Sequence, residues 1–336
     1  MMTQFSVLDL VPVREGGSVA EAFAATTALA KAAEAAGCSR FWVAEHHAMQ
    51  GIAGGATSVV LAHIGNATDR IRIGAGGIML PNHTPFQIAE QFGTLDALFP
   101  GRIDLGLGRA PGAGPELQRA LRKNLAQASE YFPQDVVELR ALLTGDLDLP
   151  LTATPGLGAQ VQLWMLGSSL FGAQLAAKLG LPYAFAAHFA PDHLDEALDV
   201  YRRTFEPSEA LAKPHVMVAM NVFAADTREQ AELMASSQQQ AFVALRTGTP
   251  GRLPAPVADY LSTLPAPAKA MLAHIGQAGA TGTPAQVRAT IEAFVKRTGA
   301  DEILLCGSTY DPDARIRSLE LTLHVMKDAA RAELAQ

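Results

Sequence analysis

The sequence lacks three features, and each absence excludes a class of protein. Cys38 and Cys306 are its only cysteines, with no C-x-x-C motif, which excludes a disulfide scaffold, argues against structural zinc and is typical of a reducing compartment. Its 26 Lys and Arg are outnumbered by 33 Asp and Glu, so no basic surface for nucleic acid is expected. No apolar run approaches the roughly 18–20 residues that span a bilayer, and the N-terminal residues lack the charged start of a secretory signal. We therefore expect a cytoplasmic protein that binds neither nucleic acid nor a membrane.

What the sequence does have is a large apolar fraction. Hydrophobic residues make up 49% of the 336 residues and charged residues 18%. This composition excludes a disordered chain, because the apolar surface available for burial is large enough to offset the entropy of ordering the chain. The length allows either two ordinary domains or one large α/β barrel, and both would enclose a substantial core.

Short apolar segments alternate with Ala-rich amphipathic segments along the chain. The short segments predict eight strands, several almost continuously apolar, as expected in a parallel sheet covered on both faces. They are Phe5–Val11, Phe41–Ala44, Ile71–Leu80, Ile103–Leu107, Val161–Leu166, Tyr183–Ala187, Val216–Phe223 and Glu302–Leu305. Helix start signals lie between them, such as Ser18 with Glu21 three residues later. The alternation predicts an α/β fold, with a single (β/α)8 TIM barrel over residues 1–336 rather than two domains.

Two segments between the strands carry further expectations. Glu116–Leu143 predicts one long helical stretch after the fourth strand. Residues 247–282, between the seventh and eighth strands, are rich in proline and glycine and predict an elaborated loop at the catalytic end of the barrel. Such a loop is either a surface excursion or a lid over the pocket, and the sequence favours neither.

Reacting groups in barrels of this type follow the carboxyl ends of the strands, which selects a few candidates. His46 and His47 follow the second strand, and only one of them is expected to face the barrel interior, as a base, a proton donor or a structural histidine. No metal site is predicted, because adjacent histidines are a poor ligand pair and no H-x-H or H-E-x-x-H motif occurs. Gly76 and Gly77 mark either a bulge in the third strand or a backbone that a planar ligand approaches closely. His188, after the sixth strand, is a candidate for the substrate pocket by position alone.

Arg109, Ser168 and Ser169 indicate an anion site. Arg109 follows the fourth strand in a turn rich in glycine and proline, and its guanidinium suits a phosphate or an electron-rich ring, the alternative being a surface arginine. Ser168 and Ser169 precede a helix whose first free amides attract phosphate, the alternative being simple N-capping. Neither a dinucleotide fingerprint nor a serine-hydrolase elbow fits. These residues therefore predict a barrel that binds a phosphate-bearing small molecule.

Five parts of the chain, in the right order, resemble the bacterial-luciferase-like family of flavin-dependent monooxygenases. They are Phe41–His47 (FWVAEHH), Gly77–Pro81 (GIMLP), Pro100–Arg109, Leu166–Ser169 with the Ala176–Gly180 segment that follows, and Gly282–Pro284. The resemblance covers nearly the whole length. Two positions depart from the luciferase catalytic subunit: Gly108 replaces a cysteine, and Gly172 replaces a polar residue. The chain is thus more similar to uncharacterised bacterial relatives of luciferase, and the departures argue against light emission and a long-chain aldehyde substrate.

Carried over position by position, the resemblance implies roles for the candidate residues. His46 would be the active-site histidine beside the reactive carbon of the flavin. Gly76 and Gly77 fall where the family has a non-proline cis peptide against the isoalloxazine ring. The residues expected around the flavin phosphate are Arg109, Ser168, Ser169 and Gly172.

The implied activity is a two-component monooxygenase reaction. A separate flavin reductase would supply reduced FMN (FMNH2), which reacts with O2 to a flavin C4a-peroxide or hydroperoxide that oxidises a small organic substrate. The alternatives are a deazaflavin-dependent hydride-transfer oxidoreductase, a non-catalytic flavin-binding protein and, more distantly, a metal-dependent barrel hydrolase. A homodimer is also expected, through the helices after the second and third strands, which carry Val59, Val60, Ile64 and Phe92.

Overall fold

This computed structural model describes residues 3–110 and 115–334, which contain nine strands and thirteen α-helices. The strands are β1 (Gln4–Asp9), β2 (Arg40–Val43), β3 (Arg72–Met79), β4 (Ile103–Gly108), β5 (Gln162–Gly167), β6 (Tyr183–Phe185), β7 (Val216–Ala224), β8 (Gly279–Gly282) and β9 (Glu302–Cys306). The helices are α1 (Val19–Ala35), α2 (Thr57–Ala67), α3 (Pro85–Leu98), α4 (Pro115–Leu121), α5 (Leu125–Glu130), α6 (Phe132–Thr144), α7 (Leu170–Leu179), α8 (Leu194–Thr204), α9 (Arg228–Arg246), α10 (Tyr260–Thr263), α11 (Ala266–Ile275), α12 (Pro284–Thr298) and α13 (Pro312–Leu334).

Eight of these strands close into a ring of parallel pairs. β1 to β6 pair in chain order, β6 pairs with β7, and β9 lies between β7 and β1. In β1, Val7 aligns with Phe41 of β2 on one side and with Leu305 of β9 on the other. The helices alternate with the strands, so the architecture is the (β/α)8 barrel that the sequence predicts, and each predicted strand overlaps an observed one.

β8 is a strand that the sequence analysis missed. Gly279–Gly282 pairs with Asn221–Ala224, the carboxyl half of β7, and does not belong to the ring of eight. Its sequence, Gly-Ala-Thr-Gly, contains no apolar run, so hydrophobic periodicity gives no signal for it. The strand predicted as the eighth, at Glu302–Leu305, is therefore the ninth in chain order.

Helix starts agree with the sequence signals. Ser18 and Glu21 form the predicted capping box of α1, and Thr84 caps α3 by accepting a hydrogen bond from the Gln87 amide. Such a cap contributes about 1 kcal/mol by satisfying an amide that has no partner inside the helix. None of the described helices is both long enough and apolar enough to cross a membrane.

The single long helix predicted over Glu116–Leu143 was wrong. The structure has α4, α5 and α6 in its place. Arg122 has a positive φ of 54°, which no α-helix accommodates, and the Asn124 side chain starts α5 by accepting from the Gln127 amide (3.3 Å). Pro133 lies in the first turn of α6, where proline favours a new helix start.

Residues 247–282 contain α10, α11 and β8, so the elaborated loop of the sequence analysis is partly helical. Its first part crosses from α9 to the loop after β1. Leu253 N donates to Val13 O (2.9 Å), and Glu15 N donates to Leu253 O (2.8 Å). Because the loop after β1 is at the carboxyl end of the barrel, this segment lies beside the candidate catalytic end. A lid function stays a prediction.

Three of the four apolar residues expected at a dimer interface belong to the core of the chain itself. Ile64 and Phe92 are 0% exposed and Val60 is 5% exposed, whereas Val59 is 68% exposed. Burial within the chain explains why the first three are apolar without any partner. The homodimer therefore stays a prediction, for which only Val59 of these four remains accessible.

The amino ends of the strands enclose a buried ion network. Arg40 donates from Nη1 to Asp104 Oδ2 (2.9 Å) and from Nε to both oxygens of Glu302 (3.2 Å). Asp104 also accepts from Trp42 Nε1 (3.0 Å) and from Arg72 Nη2 (2.6 Å). Both carboxylates are fully buried. A buried carboxylate without partners costs several kcal/mol, so the stability of the amino end of the barrel depends on these donors.

Replacing Arg40 with methionine tests this dependence. We expect Arg40→Met to lower the free energy of unfolding by about 3–5 kcal/mol in urea titrations, because it leaves Glu302 and one oxygen of Asp104 without their cation. Arg288→Met is the matched control, because the Arg288–Glu292 pair (3.4 Å) on α12 is about half exposed, and it should change stability by no more than about 0.5 kcal/mol. Equal losses in the two variants would contradict the role assigned to Arg40.

Candidate functional site

His46 and His188 lie together at the carboxyl end of the barrel. His46 follows β2 and His188 follows β6, and His46 is close enough that a positive charge on it would disfavour protonation of His188. Burial lowers the pKa of His188 to about 4, with a further contribution from His46. Burial also lowers the pKa of His46, against the opposing effect of Glu45. Both imidazoles are therefore neutral at pH 7 and able to donate through one nitrogen and accept through the other.

The main chain of His188 is held by a relay of amide side chains. Asn221 Nδ2 donates to His188 O (2.8 Å), and Gln238 Nε2 donates to Asn221 Oδ1 (2.8 Å). Ser308 N in turn donates to Gln238 Oε1 (2.6 Å). The relay joins β7, α9 and the loops after β6 and β9. Nδ1 of His188 is buried and has no hydrogen-bond partner among the described residues. No sequence motif marks Asn221 or Gln238, so sequence analysis did not find them.

Gly76 and Gly77 form a stretch of β3 without side chains, partly exposed at the same end of the barrel. A Cβ atom added to Gly76 would lie 2.8 Å from side-chain atoms of Leu8 and Trp42, and one on Gly77 would lie 2.5 Å from Gly106 O. Neither position therefore has room for a side chain. The peptide bond between the two glycines is cis. The pairing with β4 shifts register between Gly76 and Ile78, so the bulge weighed in the sequence analysis is present.

The Glu45 carboxylate joins three segments beside this stretch. Its Oε1 accepts hydrogen bonds from His47 Nε2 and from His83 Nε2 (2.7 Å), and its Oε2 accepts from Met79 N (2.9 Å). Burial would raise the pKa of Glu45, but these hydrogen bonds outweigh it and lower the pKa to about 2. The carboxylate is therefore ionised, and both imidazoles carry a proton on Nε2.

Among the described residues, one group could hold a metal ion, and it consists of Glu45, His47 and His83. Their donor atoms lie within 4.8 Å of one another. His83 lies far along the chain from the Glu45–His47 pair, so the sequence analysis, which weighed only His46 and His47 as ligands, did not find this group. In the structure both imidazoles hydrogen-bond to one carboxylate oxygen, an arrangement that satisfies all three groups without a metal. The expected absence of a metal site stays a prediction.

Arg109 and the first turn of α7 meet at the ends of β4 and β5. The Arg109 guanidinium lies 4.0 Å from the centre of the Phe171 ring, which holds it beside the helix start. Ser169 is the N-cap residue, yet its hydroxyl makes no capping hydrogen bond within the described part of the chain. Simple N-capping, the alternative in the sequence analysis, therefore does not explain this serine. Ser168 precedes it and is also partly exposed.

A phosphate fits this arrangement. The first amides of an α-helix have no partner inside the helix and form the positive end of its dipole. Gly172 lies close to β5, since a Cβ on it would be 3.5 Å from Gly167 Cα, so the helix start is close to the end of the strand. The cation, the free serine hydroxyl and the helix amides are the donors that a phosphate monoester requires. Residues 111–114, which follow Ala110 in the sequence, lie outside the described residues.

Residues 2–302 match the sequence model of the luciferase-like monooxygenases. This chain belongs to that family. It is 46% identical over 325 residues to the luciferase-like monooxygenase of Escherichia coli (strain K12), which covers 96% of this chain and 97% of the relative. It is 36% identical over 255 residues to the N-acetyl-S-alkylcysteine monooxygenase of Bacillus subtilis (strain 168), covering 74% of this chain and 75% of the relative.

Solved structures similar to this luciferase-like monooxygenase share its fold over almost the whole length. The crystal structure of apo-MsnO8 has a TM-score of 0.86 at 32% identity and covers 97% of this chain and 98% of that chain. The oxygenating constituent of 3,6-diketocamphane monooxygenase from Pseudomonas putida, in complex with FMN, has a TM-score of 0.70 at 19% identity and covers 95% and 96%. An F420-dependent secondary alcohol dehydrogenase has a TM-score of 0.68 at 17% identity and covers 97% and 99%. At 19% and 17% identity, the similarity to the last two structures shows a shared fold and nothing more.

His188 and His47 should titrate differently. In nuclear magnetic resonance titrations of this luciferase-like monooxygenase, His188 should stay neutral down to a pH near its pKa of about 4, whereas the hydrogen bond that His47 donates to Glu45 raises the pKa of His47 above 6.5. The Glu45–His47 pair thus adds stability that is complete below pH 6.5 and is lost as the pH rises through the raised pKa of His47. Glu45→Gln should lower the pKa of His47 and leave that of His188 unchanged. A shared midpoint for both histidines would contradict the described geometry.

Proposed function

We propose that this chain is an FMN-dependent monooxygenase that uses reduced FMN and O2 to oxidise a small organic substrate. The observation that carries the proposal is the donor set at the ends of β4 and β5. There the Arg109 guanidinium lies beside the start of α7, together with the Ser169 hydroxyl, which makes no capping hydrogen bond to any described residue. This phosphate site shares one end of the barrel with the Gly76–Gly77 stretch and with His46, in keeping with a ligand that has both a phosphate and a planar ring.

Each residue has a distinct task in the proposed function. Arg109, Ser169 and the α7 amides bind the FMN phosphate, with Ser168 and Gly172 beside them. The main chain at Gly76–Gly77 supports one face of the isoalloxazine ring, which no side chain there obstructs. When bound, the reduced flavin supplies the chemistry that activates oxygen.

Two histidines complete the proposed site. His46, neutral at pH 7, holds or accepts a proton beside the reactive carbon of the ring. His188, whose Nδ1 has no partner among the described residues and whose main chain is fixed by the relay, contacts the substrate. Because both imidazoles are neutral, the site favours proton transfer over binding of an anion.

The surroundings of the site serve the same function in this proposal. Residues 247–282 form a lid that excludes water, in keeping with the main-chain bonds between Leu253 and the loop after β1. The chain works as one domain in the cytoplasm, and a separate flavin reductase supplies FMNH2. Two copies form a homodimer through α2 and α3, where Val59 and Leu98 are more than half exposed.

A deazaflavin-dependent hydride-transfer oxidoreductase is the second candidate. An F420-dependent dehydrogenase has the same fold, and the phosphate site described above suits any phosphate-bearing flavin-like ligand. The relatives of this chain at 46% and 36% identity are named monooxygenases, which favours oxygen chemistry. A non-catalytic flavin-binding protein is less favoured, because His46 and His188 point to proton chemistry at this end of the barrel.

Anaerobic mixing with photoreduced FMN, followed by oxygenated buffer, tests the function. We expect one FMNH2 per chain to bind and the flavin to pass through a transient whose absorbance differs from that of the reduced and the oxidised forms. His46→Gln, which keeps a neutral side chain of similar size, should retain FMN binding and alter the lifetime of the transient roughly tenfold or more. The same binding measurement is made with reduced F420 for comparison.

Three results would contradict the proposal. Reoxidation at the rate of free flavin, with no complex, would exclude the monooxygenase function. Binding of F420 in preference to FMN would favour the hydride-transfer candidate. A tight FMN complex that reoxidises like free flavin would favour the binding protein.

Arg109→Met tests the phosphate site separately. We expect this change to weaken FMN binding roughly tenfold to a hundredfold, the loss typical of a charge-assisted hydrogen bond, and to leave the affinity for riboflavin, which has no phosphate, within about twofold. Arg246→Met is the matched control, because Arg246 also lies over aromatic rings (5.0 Å from Phe189) but belongs to α9. Equal losses of affinity for FMN and for riboflavin in Arg109→Met would show that Arg109 does not bind the phosphate.

A further inference from the structure

Glu45 lies where the regular pairing of β2 with β3 ends. The last aligned pair of these strands is Val43 with Ala75. Beyond it, Glu45 N donates to Gly77 O (3.3 Å), and the Glu45 carboxylate accepts from Met79 N (2.9 Å). One residue therefore continues the ladder, first with its main chain and then with its side chain.

β3 needs this support because it carries a bulge at the same point. On its other side it aligns Gly76 with Gly106 and then Ile78 with Leu107, so that Gly77 is skipped. A bulge leaves peptide groups without regular ladder partners, and peptide groups that are shielded from water require partners. Glu45 supplies partners on both sides of Ile78.

The carboxylate itself is held rigidly. Its side chain is 1% exposed, and its other oxygen accepts from His47 and His83. Lys123 Nζ donates to His83 O and so fixes the turn that carries His83. Loss of either imidazole removes one of three donors, whereas loss of the Glu45 carboxylate removes the acceptor that His47, His83 and Met79 N share.

We propose that Glu45 is a positioning residue of the flavin site. Its main chain bonds Gly77 and its carboxylate bonds Met79, so together they hold the Gly76–Gly77 stretch in the place where the ring rests, and with His47 the carboxylate fixes the main chain on both sides of His46. This inference rests on the proposed function. It goes beyond it by assigning Glu45, His47 and His83 to the support of the site rather than to contact with flavin or substrate.

Hydrogen exchange tests the hold on β3 without any ligand. In Glu45→Ala, amides of residues 76–80 should exchange roughly tenfold to a hundredfold faster, the effect of losing a hydrogen bond to a charged group, with the rest of the barrel unchanged. Glu45→Gln should retain most of the protection, because its amide oxygen still accepts from Met79 N. Glu302→Gln, at the opposite end of the barrel, is the matched control for loss of a buried carboxylate and should not accelerate this segment selectively. Unchanged or uniformly faster exchange in Glu45→Ala would overturn the proposal.

Measurements of flavin affinity then test whether Glu45 affects the proposed flavin site. Because Glu45 acts through the ring-binding stretch, Glu45→Ala should weaken binding of FMN and of riboflavin by the same factor, roughly tenfold or more, unlike a phosphate-site variant. An unchanged affinity for riboflavin in Glu45→Ala would overturn the positioning role. Wild-type protein that binds neither flavin would overturn the proposed function and the flavin role together. The exchange experiment would still decide whether Glu45 holds β3, so the two failures are distinguishable.

Discussion

Closure of the eight parallel strands is the constraint on which the rest of the structure depends. In a closed ring every strand has two hydrogen-bonded neighbours, so no sheet edge remains to be covered. Because all eight strands run the same way, their carboxyl ends form one rim. That rim collects side chains far apart in the sequence, from His46 after β2 to His188 after β6.

The two ends of the barrel use polar groups in opposite ways. At the amino ends, the buried carboxylates of Asp104 and Glu302 each have several donors, centred on Arg40, and the network is internal to the protein. At the carboxyl ends, the Ser169 hydroxyl makes no capping bond and His188 Nδ1 has no partner among the described residues. Buried polar groups in folded proteins are normally satisfied, and in the proposed function a bound ligand supplies the partner of His188 Nδ1.

Much of the fold follows from the sequence because it depends on local patterns. The strands are apolar runs with β-branched residues, and Ser18 with Glu21 is a cap that forms in any helix of that sequence. What could not be predicted depends on tertiary contacts. The positive φ of Arg122 breaks a segment that periodicity assigns to one helix, and β8 has no apolar signal. His83 meets Glu45, and Gln238 meets Asn221, only after the barrel has closed. Motifs therefore selected His46 and Arg109 as candidates, whereas the residues that the structure adds around them carry no local pattern.

The position of the proposed phosphate site follows from what fills the rest of the rim. Barrels often bind phosphate after their last two strands. Here Gln238 bridges Asn221 of β7 to Ser308 after β9, and β8 covers the end of β7, so side chains and main chain of the protein occupy that corner.

The donors for a phosphate converge instead on β4 and β5. These strands are neighbours, which is why Arg109 after β4 reaches Phe171 in the helix that follows β5. The strand order β5-β4-β3-β2 then sets the order of parts along the rim: first the phosphate donors, then the Gly76–Gly77 stretch of β3, then His46 after β2. In the proposed function a flavin bound by its phosphate at β4 and β5 therefore extends its ring across β3 toward His46, without any further rearrangement of the strands.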